Sequence, residues 1–379
     1  MDDRQARLVK LIERATGKAA YAGDVGEEGE DEDAVEAAHT VTTAAGAEVP
    51  RRNAASLDRG TEHAHSSAMA GRKKTNEGKG HQFGGDWTTR KLEILADYLQ
   101  AYTTALKDKP SAARPFRKAF IDAFAGTGYR DARRDDQLSA TPSLLLPDLA
   151  EQEPQGLLDG SARLALQTEP SFDRYIFIER NPARCEQLEA LRAEFPDRAD
   201  RIDIQQGDAN ERIQALCAAN MDWSSRRAVL FLDPYGMQVE WKTIEAVAST
   251  KAIDLWLLFP LGIGVNRLLT KSGDIPPSWK KRLDLLLGTT DWYDEFYRVE
   301  TTPTLFGTNQ EHVVKASMEA IGSYFNNRLK QVFAGVAEQP GVLRNSSNNP
   351  LYLFCFAVGN EHGKKIALRI AEHLLKEHR

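Results

Sequence analysis

Short unbroken apolar runs alternate along this chain with segments whose apolar residues recur every three or four positions. The first pattern predicts buried strands, and the second predicts helices packed by one face. From Phe83 onward the alternation is regular. DWTTRKLEILADYLQAYTTALK carries Leu92, Leu95, Tyr98, Leu99, Tyr102 and Leu106 at helical spacing, with Thr88 or Thr89 as a candidate N-cap. RKAFIDAFAGTGYR reads as a buried strand running into a glycine turn. DRYIFIERN, DRIDIQQGDAN, RRAVLFLDPYG and KAIDLWLLFP read as four more strands. PARCEQLEALRAEF, ERIQALCAA and VEWKTIEAVAST are the helices between them. Strand and helix alternating in this way predict a Rossmann-like α/β sheet, mostly parallel and covered on both faces.

After Pro260 the rhythm breaks. The stretch from about 262 to 335 reads as a C-terminal helical insertion. Its first part carries Trp279, Trp292, Phe296 and Tyr297, and EHVVKASMEAIGSYFNNRLKQVFAGV is a further helix. PLYLFCFAVGN is a final strand and GKKIALRIAEHLLKEH a final helix. Residues 1–80 differ in kind. RQARLVKLIERA has the spacing of a short amphipathic helix, but YAGDVGEEGEDEDAVEAAHT is acidic with no Lys or Arg, and a mixed tract follows that ends in GRKKTNEGKGH. Aromatic and β-branched residues are scarce there, leaving little surface to bury against the entropy of ordering. The expectation is a disordered N-terminal tail, either a solvated extension or a docking arm, before a folded domain spanning 83–379.

Composition narrows the function classes. The 379 residues carry a net charge of −6, which argues against a generally basic nucleic-acid binder but leaves room for a local basic groove. The three cysteines, Cys185, Cys217 and Cys355, are far apart and form no C-x-x-C, so neither a zinc cage nor a disulfide framework is indicated. That usage suits a reducing cytoplasm. The N-terminus has no apolar core for a signal peptide, and no apolar run is long enough to span a bilayer. No histidine follows a strand, and no metal is assigned.

In an open α/β sheet, ligands bind beyond the carboxyl ends of the strands. The first predicted strand ends in Asp122-Ala-Phe124-Ala125-Gly126-Thr-Gly128, where two glycines allow a tight turn and close backbone approach. It is neither a phosphate-binding P-loop nor the G-x-G-x-x-G of nicotinamide dehydrogenases. The second ends in Glu179, suited to the two hydroxyls of a ribose or, alternatively, to the dipole of the helix that Asn181 would cap. The third ends in Gly207-Asp208-Ala209, where Asp208 is a candidate either for an exocyclic amino group of adenine or for an N-cap. The fourth ends in Asp233-Pro234-Tyr235-Gly236. A turn explains its Pro and Gly but neither the acid nor the aromatic.

D-x-F-x-G-x-G, an acid after strand two, G-D-A and D-P-Y-G, in that order, are similar to the motifs of class I S-adenosylmethionine-dependent methyltransferases. FIDAFAGTGYR, GSARLAL, FIERN, GDAN, FLDPYGMQVEW, TKAIDLWLLFPLGIGVNRLL and PLYLFCFAVGN, with the helix before them, together resemble the three-Cys-motif partner proteins, from roughly Phe83 to the end. The resemblance implies S-adenosylmethionine as cofactor and a separate partner bearing a three-cysteine motif of radical-SAM-like type. It implies that Asp122, Phe124, Ala125, Gly126 and Gly128 surround the methionine part of the cofactor, that Glu179 takes the ribose, that Asp208 and Ala209 read the adenine, and that Asp233, Pro234 and Tyr235 face the methyl acceptor. Trp87, Lys91 and Tyr98 lie on or just before the helix that can close over the cofactor in this fold.

Methyltransferases acting on base amino groups often carry D/N-P-P-Y/F at the fourth position. Here Tyr235 replaces the second proline, and D-P-F-G, close to this version, occurs in enzymes that methylate an exocyclic guanine amine in transfer RNA. DNA or RNA is therefore the candidate acceptor. Arg267, beyond strand five, is a candidate for a phosphate or carboxylate on that acceptor. The alternative expectation is a cofactor-binding or degenerate scaffold for the three-cysteine partner.

Overall fold

The computed structural model describes residues 3–16, 86–126, 129–130, 158–219, 221–303 and 309–378. The five predicted strands form, as β1 Arg117–Asp122, β2 Arg174–Glu179, β3 Ile202–Gln206, β4 Arg226–Leu232 and β5 Ile253–Phe259. They are parallel and lie in the order β3-β2-β1-β4-β5. The final strand, Pro350–Val358, joins β5 antiparallel and carries two short antiparallel neighbours, Gly335–Val336 and Gly341–Arg344. The Rossmann-like, mostly parallel sheet expected from the sequence is therefore present.

Period-two alternation explains why β4 and β5 read as unbroken apolar runs. Phe120, Val229, Phe231, Trp256 and Leu258 pack into the core on one face, and Ile121, Leu230, Leu232, Leu255, Leu257 and Phe259 into the core on the other. The first face is covered by α1 Asp3–Thr16, α2 Asp86–Ala105, α3 Ser161–Gln167, α4 Pro182–Glu194 and the C-terminal helix Lys364–Glu377. The second is covered by α5 Ala209–Ala218, α6 Trp241–Ser249, α7 Pro277–Leu287, α8 Trp292–Phe296 and α9 Met318–Val332. Asn181 caps α4 by accepting from the N–H groups of Ala183 and Arg184. Helix α2 begins at Asp86, so Thr88 and Thr89 lie within its first turn rather than at its cap.

Two further expectations are corrected. The segment Asp3–Thr16 is a helix that buries Leu11, Ile12 and Ala15 in the first core, so these residues belong to the folded part and not to the tail. The rest of the expected tail, 17–80, lies outside the described residues. The insertion after Pro260 is not all helical: Tyr297–Pro303 and Asn309–Lys315 form an antiparallel hairpin, β6 and β7, pairing Val299 with Val313. Val299, Thr301, Thr302, Val313 and Val314 are β-branched residues that favour a pleated surface, and this outweighed the helical spacing read into EHVVK.

Candidate active site

Strand order reverses between β1 and β4, and the crevice at their carboxyl ends gathers most of the predicted chemistry. The backbone of β1 runs on into the crevice: Ala123 N–H donates to Phe231 O on β4 at 3.2 Å, and Ala125 N–H to Ile178 O on β2 at 3.2 Å. Gly126 then turns with φ +62°, a conformation L-residues pay to adopt. A Cβ placed on Gly126 would meet no atom of the described residues within 4 Å, so among them the turn has no close neighbour on that side. Gly128 lies outside the described residues.

Three carboxylates meet here. Asp122 is fully buried. Its Oδ2 accepts from the Ser161 hydroxyl at 2.5 Å and its Oδ1 from Phe124 N–H at 3.1 Å. Burial is the main force pushing its carboxyl up to about 7; the Ser161 and Phe124 hydrogen bonds oppose the rise, and the nearby charges of Asp233 and Glu179 add to it. Glu179, also buried, accepts Gly126 N–H on Oε2 at 3.0 Å and Asn181 N–H on Oε1 at 2.8 Å. Each oxygen keeps a second lone pair, so this bracing is compatible with accepting ribose hydroxyls. Asp233 receives the ammonium of Lys91 on Oδ2 at 2.5 Å.

The fourth strand end continues outward. Pro234 is buried, whereas Tyr235 is 81% exposed. The loop is held by side chains that sequence reasoning passed over. Gln238 Oε1 accepts Tyr235 N–H at 3.0 Å, Asn210 Nδ2 donates to Gln238 O at 2.9 Å, and Asn210 Oδ1 accepts Glu240 N–H at 2.9 Å. Asp208 caps α5, accepting from the N–H groups of Asn210 and Glu211 at 2.9 and 3.3 Å. Ala209 is buried behind it, and Gly207 N–H ties this strand end to Glu179 O at 3.1 Å.

Residues beyond β5 close one side. A π turn, Leu261–Val265, leads into Asn266–Leu268. Gly264 lets this turn touch Met237 of the D-P-Y-G loop, where a Cβ would come to 3.0 Å of the methionine. Gly262 lies against Pro350 O, where a Cβ would come to 1.9 Å, so both glycines serve packing between chain segments. Lys315 of the hairpin donates to Asn266 O, Asn266 Oδ1 and Leu269 O at 2.9–3.1 Å, fixing the backbone on both sides of Arg267. Arg267 Nη1 is buried with no hydrogen-bond partner among the described residues.

Tyr98 stands apart. Its hydroxyl donates to Asp254 Oδ2 at 2.9 Å, near the start of β5 and so at the opposite end of the sheet from the crevice. Ser161 gave no signal as a site residue; Lys91 did, through its place on the helix that can close over the cofactor, and it is buried there, where a charge needs a partner. Among the described residues no group of side chains is arranged to hold a metal, and no helix is long and apolar enough to cross a membrane.

No family model and no curated protein matches the chain. Several solved structures are similar in fold. They include an S-adenosylmethionine-dependent methyltransferase from Clostridium acetobutylicum, at 12% identity over 71% of this chain and 92% of that one, with a TM-score of 0.32. A methyltransferase from Geobacter sulfurreducens is 14% identical over 62% of this chain and 81% of that one, with a TM-score of 0.25. A protein from Legionella pneumophila is 14% identical over 62% and 91%, with a TM-score of 0.32. The strand order β3-β2-β1-β4-β5 itself defines the fold.

Proposed function

We propose that the protein is an S-adenosylmethionine-dependent methyltransferase acting on an exocyclic amino group, with a nucleic-acid base as the favoured acceptor and a three-Cys-motif, radical-SAM-like protein as its partner. The partner rests on the family resemblance alone. The observation that carries the cofactor is Gly126, turned at φ +62° at the strand-order switch point, with its N–H on Glu179 and no described residue within 4 Å of where a Cβ would stand. The residues present fit the group. Gly126 leaves room for the methionine part, Glu179 offers its remaining lone pairs to the ribose, and Asp122 lends negative charge beside a sulfonium.

When bound, S-adenosylmethionine supplies an electrophilic methyl group. The chain's own residues then act by positioning. Asp233 Oδ1, the oxygen not taken by Lys91, accepts from the amino group and orients its lone pair. Pro234 stiffens the loop, and the exposed ring of Tyr235 provides a face on which a planar base stacks. Calorimetry with S-adenosylmethionine and transfer of a tritiated methyl group to DNA, RNA or the partner test this reading. Binding is expected to be lost in Gly126→Arg, and transfer in Asp233→Ala.

The Lys91–Asp233 pair favours a second reading, a cofactor-binding scaffold for the three-cysteine partner, because the acid aimed at the acceptor is already engaged. Cofactor binding without methyl transfer to any of the three acceptors, and with no effect of Asp233→Ala, would select the scaffold.

A further inference from the structure

Lys91 is a buried cation with unused donors. Its side chain is 7% exposed and that of its partner Asp233 is 25% exposed, so the pair is largely shielded from solvent. Leu92, Leu95 and Leu99 anchor α2 in the core, so the position of Lys91 is set by helix packing. Its ammonium lies 5.0 Å from the centroid of the Trp87 ring, and that ring packs against Tyr352. An ammonium carries three N–H donors. One goes to Asp233, and among the described residues no other hydrogen bond uses the remaining two. Buried donors of this kind are rarely left idle.

Charge complementarity points to an occupant. The crevice holds Asp122, Glu179 and Asp233, all negative when ionised, and Lys91 sits at its acidic wall. The cofactor of the reading above carries a sulfonium, an ammonium and a carboxylate. The first two suit the acids. The carboxylate is repelled by them and needs a cation supplied from the same wall.

We propose that Lys91 binds the α-carboxylate of the amino-acid part of S-adenosylmethionine, bridging it to Asp233. This inference rests on the cofactor reading. One ammonium would then hold both the donor and Asp233, whose Oδ2 it already engages.

The test needs no acceptor. S-adenosylmethionine and its decarboxylated form differ only in the carboxylate, and both are titrated calorimetrically into the wild type and Lys91→Met. A hydrogen bond to a charged group contributes about 1.5–3 kcal/mol, roughly ten- to a hundredfold in affinity. The wild type is expected to prefer S-adenosylmethionine by at least that tenfold, and Lys91→Met to bind both forms within about threefold of each other. Lys91→Arg, which keeps the charge, is expected to keep the preference and guards against a variant that does not fold. Equal affinities in the wild type, or an undiminished preference in folded Lys91→Met, would overturn the assignment while leaving the cofactor reading intact. Failure of the wild type to bind either form would remove the cofactor reading and this inference with it.

Discussion

Glu179 Oε2 accepts the backbone N–H of Gly126 at 3.0 Å, binding the end of the second strand to the glycine turn after the first. The other oxygen accepts Asn181 N–H at 2.8 Å, so one carboxylate braces two loops. A glutamine has a single acceptor oxygen and would turn its NH2 toward one of these donors. Glu179→Gln is therefore expected to lose about 1–3 kcal/mol of stability in urea denaturation. If the same carboxylate also takes the ribose, the wild type will bind adenosine more tightly than 2′-deoxyadenosine, and the variant will lose that preference. A variant that is destabilised but still discriminates would confine Glu179 to bracing.

Gly126 separates backbone strain from ligand space. Alanine at φ +62° costs about 1–2 kcal/mol, while its Cβ would meet no atom of the described residues within 4 Å. Gly126→Ala should therefore fold with a modest loss of stability. The methyl group would occupy the space assigned to the cofactor, so affinity for S-adenosylhomocysteine is expected to fall at least tenfold, measured by calorimetry beside a denaturation curve. An affinity loss no larger than the stability loss would place the cofactor elsewhere.

Much of this architecture was legible along the chain, for identifiable reasons. β4 is buried on both faces, so its apolar run stops abruptly at Asp233, which it delivers to the crevice, whereas β5 runs on through Pro260 into the apolar turn Leu261–Val265. Asn181 and Asp208 announce the helices they cap. The hairpin Tyr297–Lys315 escaped because its strands lie outside the main sheet and lack a continuous apolar run, with Val299 exposed. The docking of Asp3–Thr16 escaped because an acidic, alanine-rich tract follows it and dominates the local composition. Long-range pairs such as Lys91 with Asp233, or Ser161 with Asp122, depend on how distant segments pack. The place of Lys91 on the helix before β1 was the visible trace of the first pair.

Tyr235 offers a ring at 81% exposure beside Asp233, and removing it should leave the fold alone. Tyr235→Ala is expected to change stability by less than about 0.5 kcal/mol. Base stacking on such a ring contributes about 1–3 kcal/mol, so affinity for a mixed-sequence single-stranded oligonucleotide, followed by fluorescence anisotropy, is expected to fall roughly five- to a hundredfold. Tyr235→Phe should retain it. Equal affinity across the three proteins would remove the stacking role.

Asp122 ties the site to pH. Its carboxyl is raised from 3.8 to about 7 chiefly by burial, so between these values the folded chain binds more protons than the unfolded one. The stabilising protonation is therefore fully present below pH 4 and is lost as pH rises through 7, a change on the order of 4 kcal/mol. Asp254, raised to about 6 mainly by burial, acts with the same sign over a narrower window, so the informative quantity is variant minus wild type. Asparagine at 122 can still accept Phe124 N–H and can donate to Ser161, yet it never ionises. Asp122→Asn should match the wild type in urea denaturation at pH 4 and exceed it at pH 8. The same substitution removes negative charge from beside the sulfonium, so cofactor affinity at pH 8 is expected to fall as stability rises. A fall in both would mean that the Asp122 carboxylate is needed for the fold itself, whereas a rise in stability with unchanged affinity would remove Asp122 from the cofactor site.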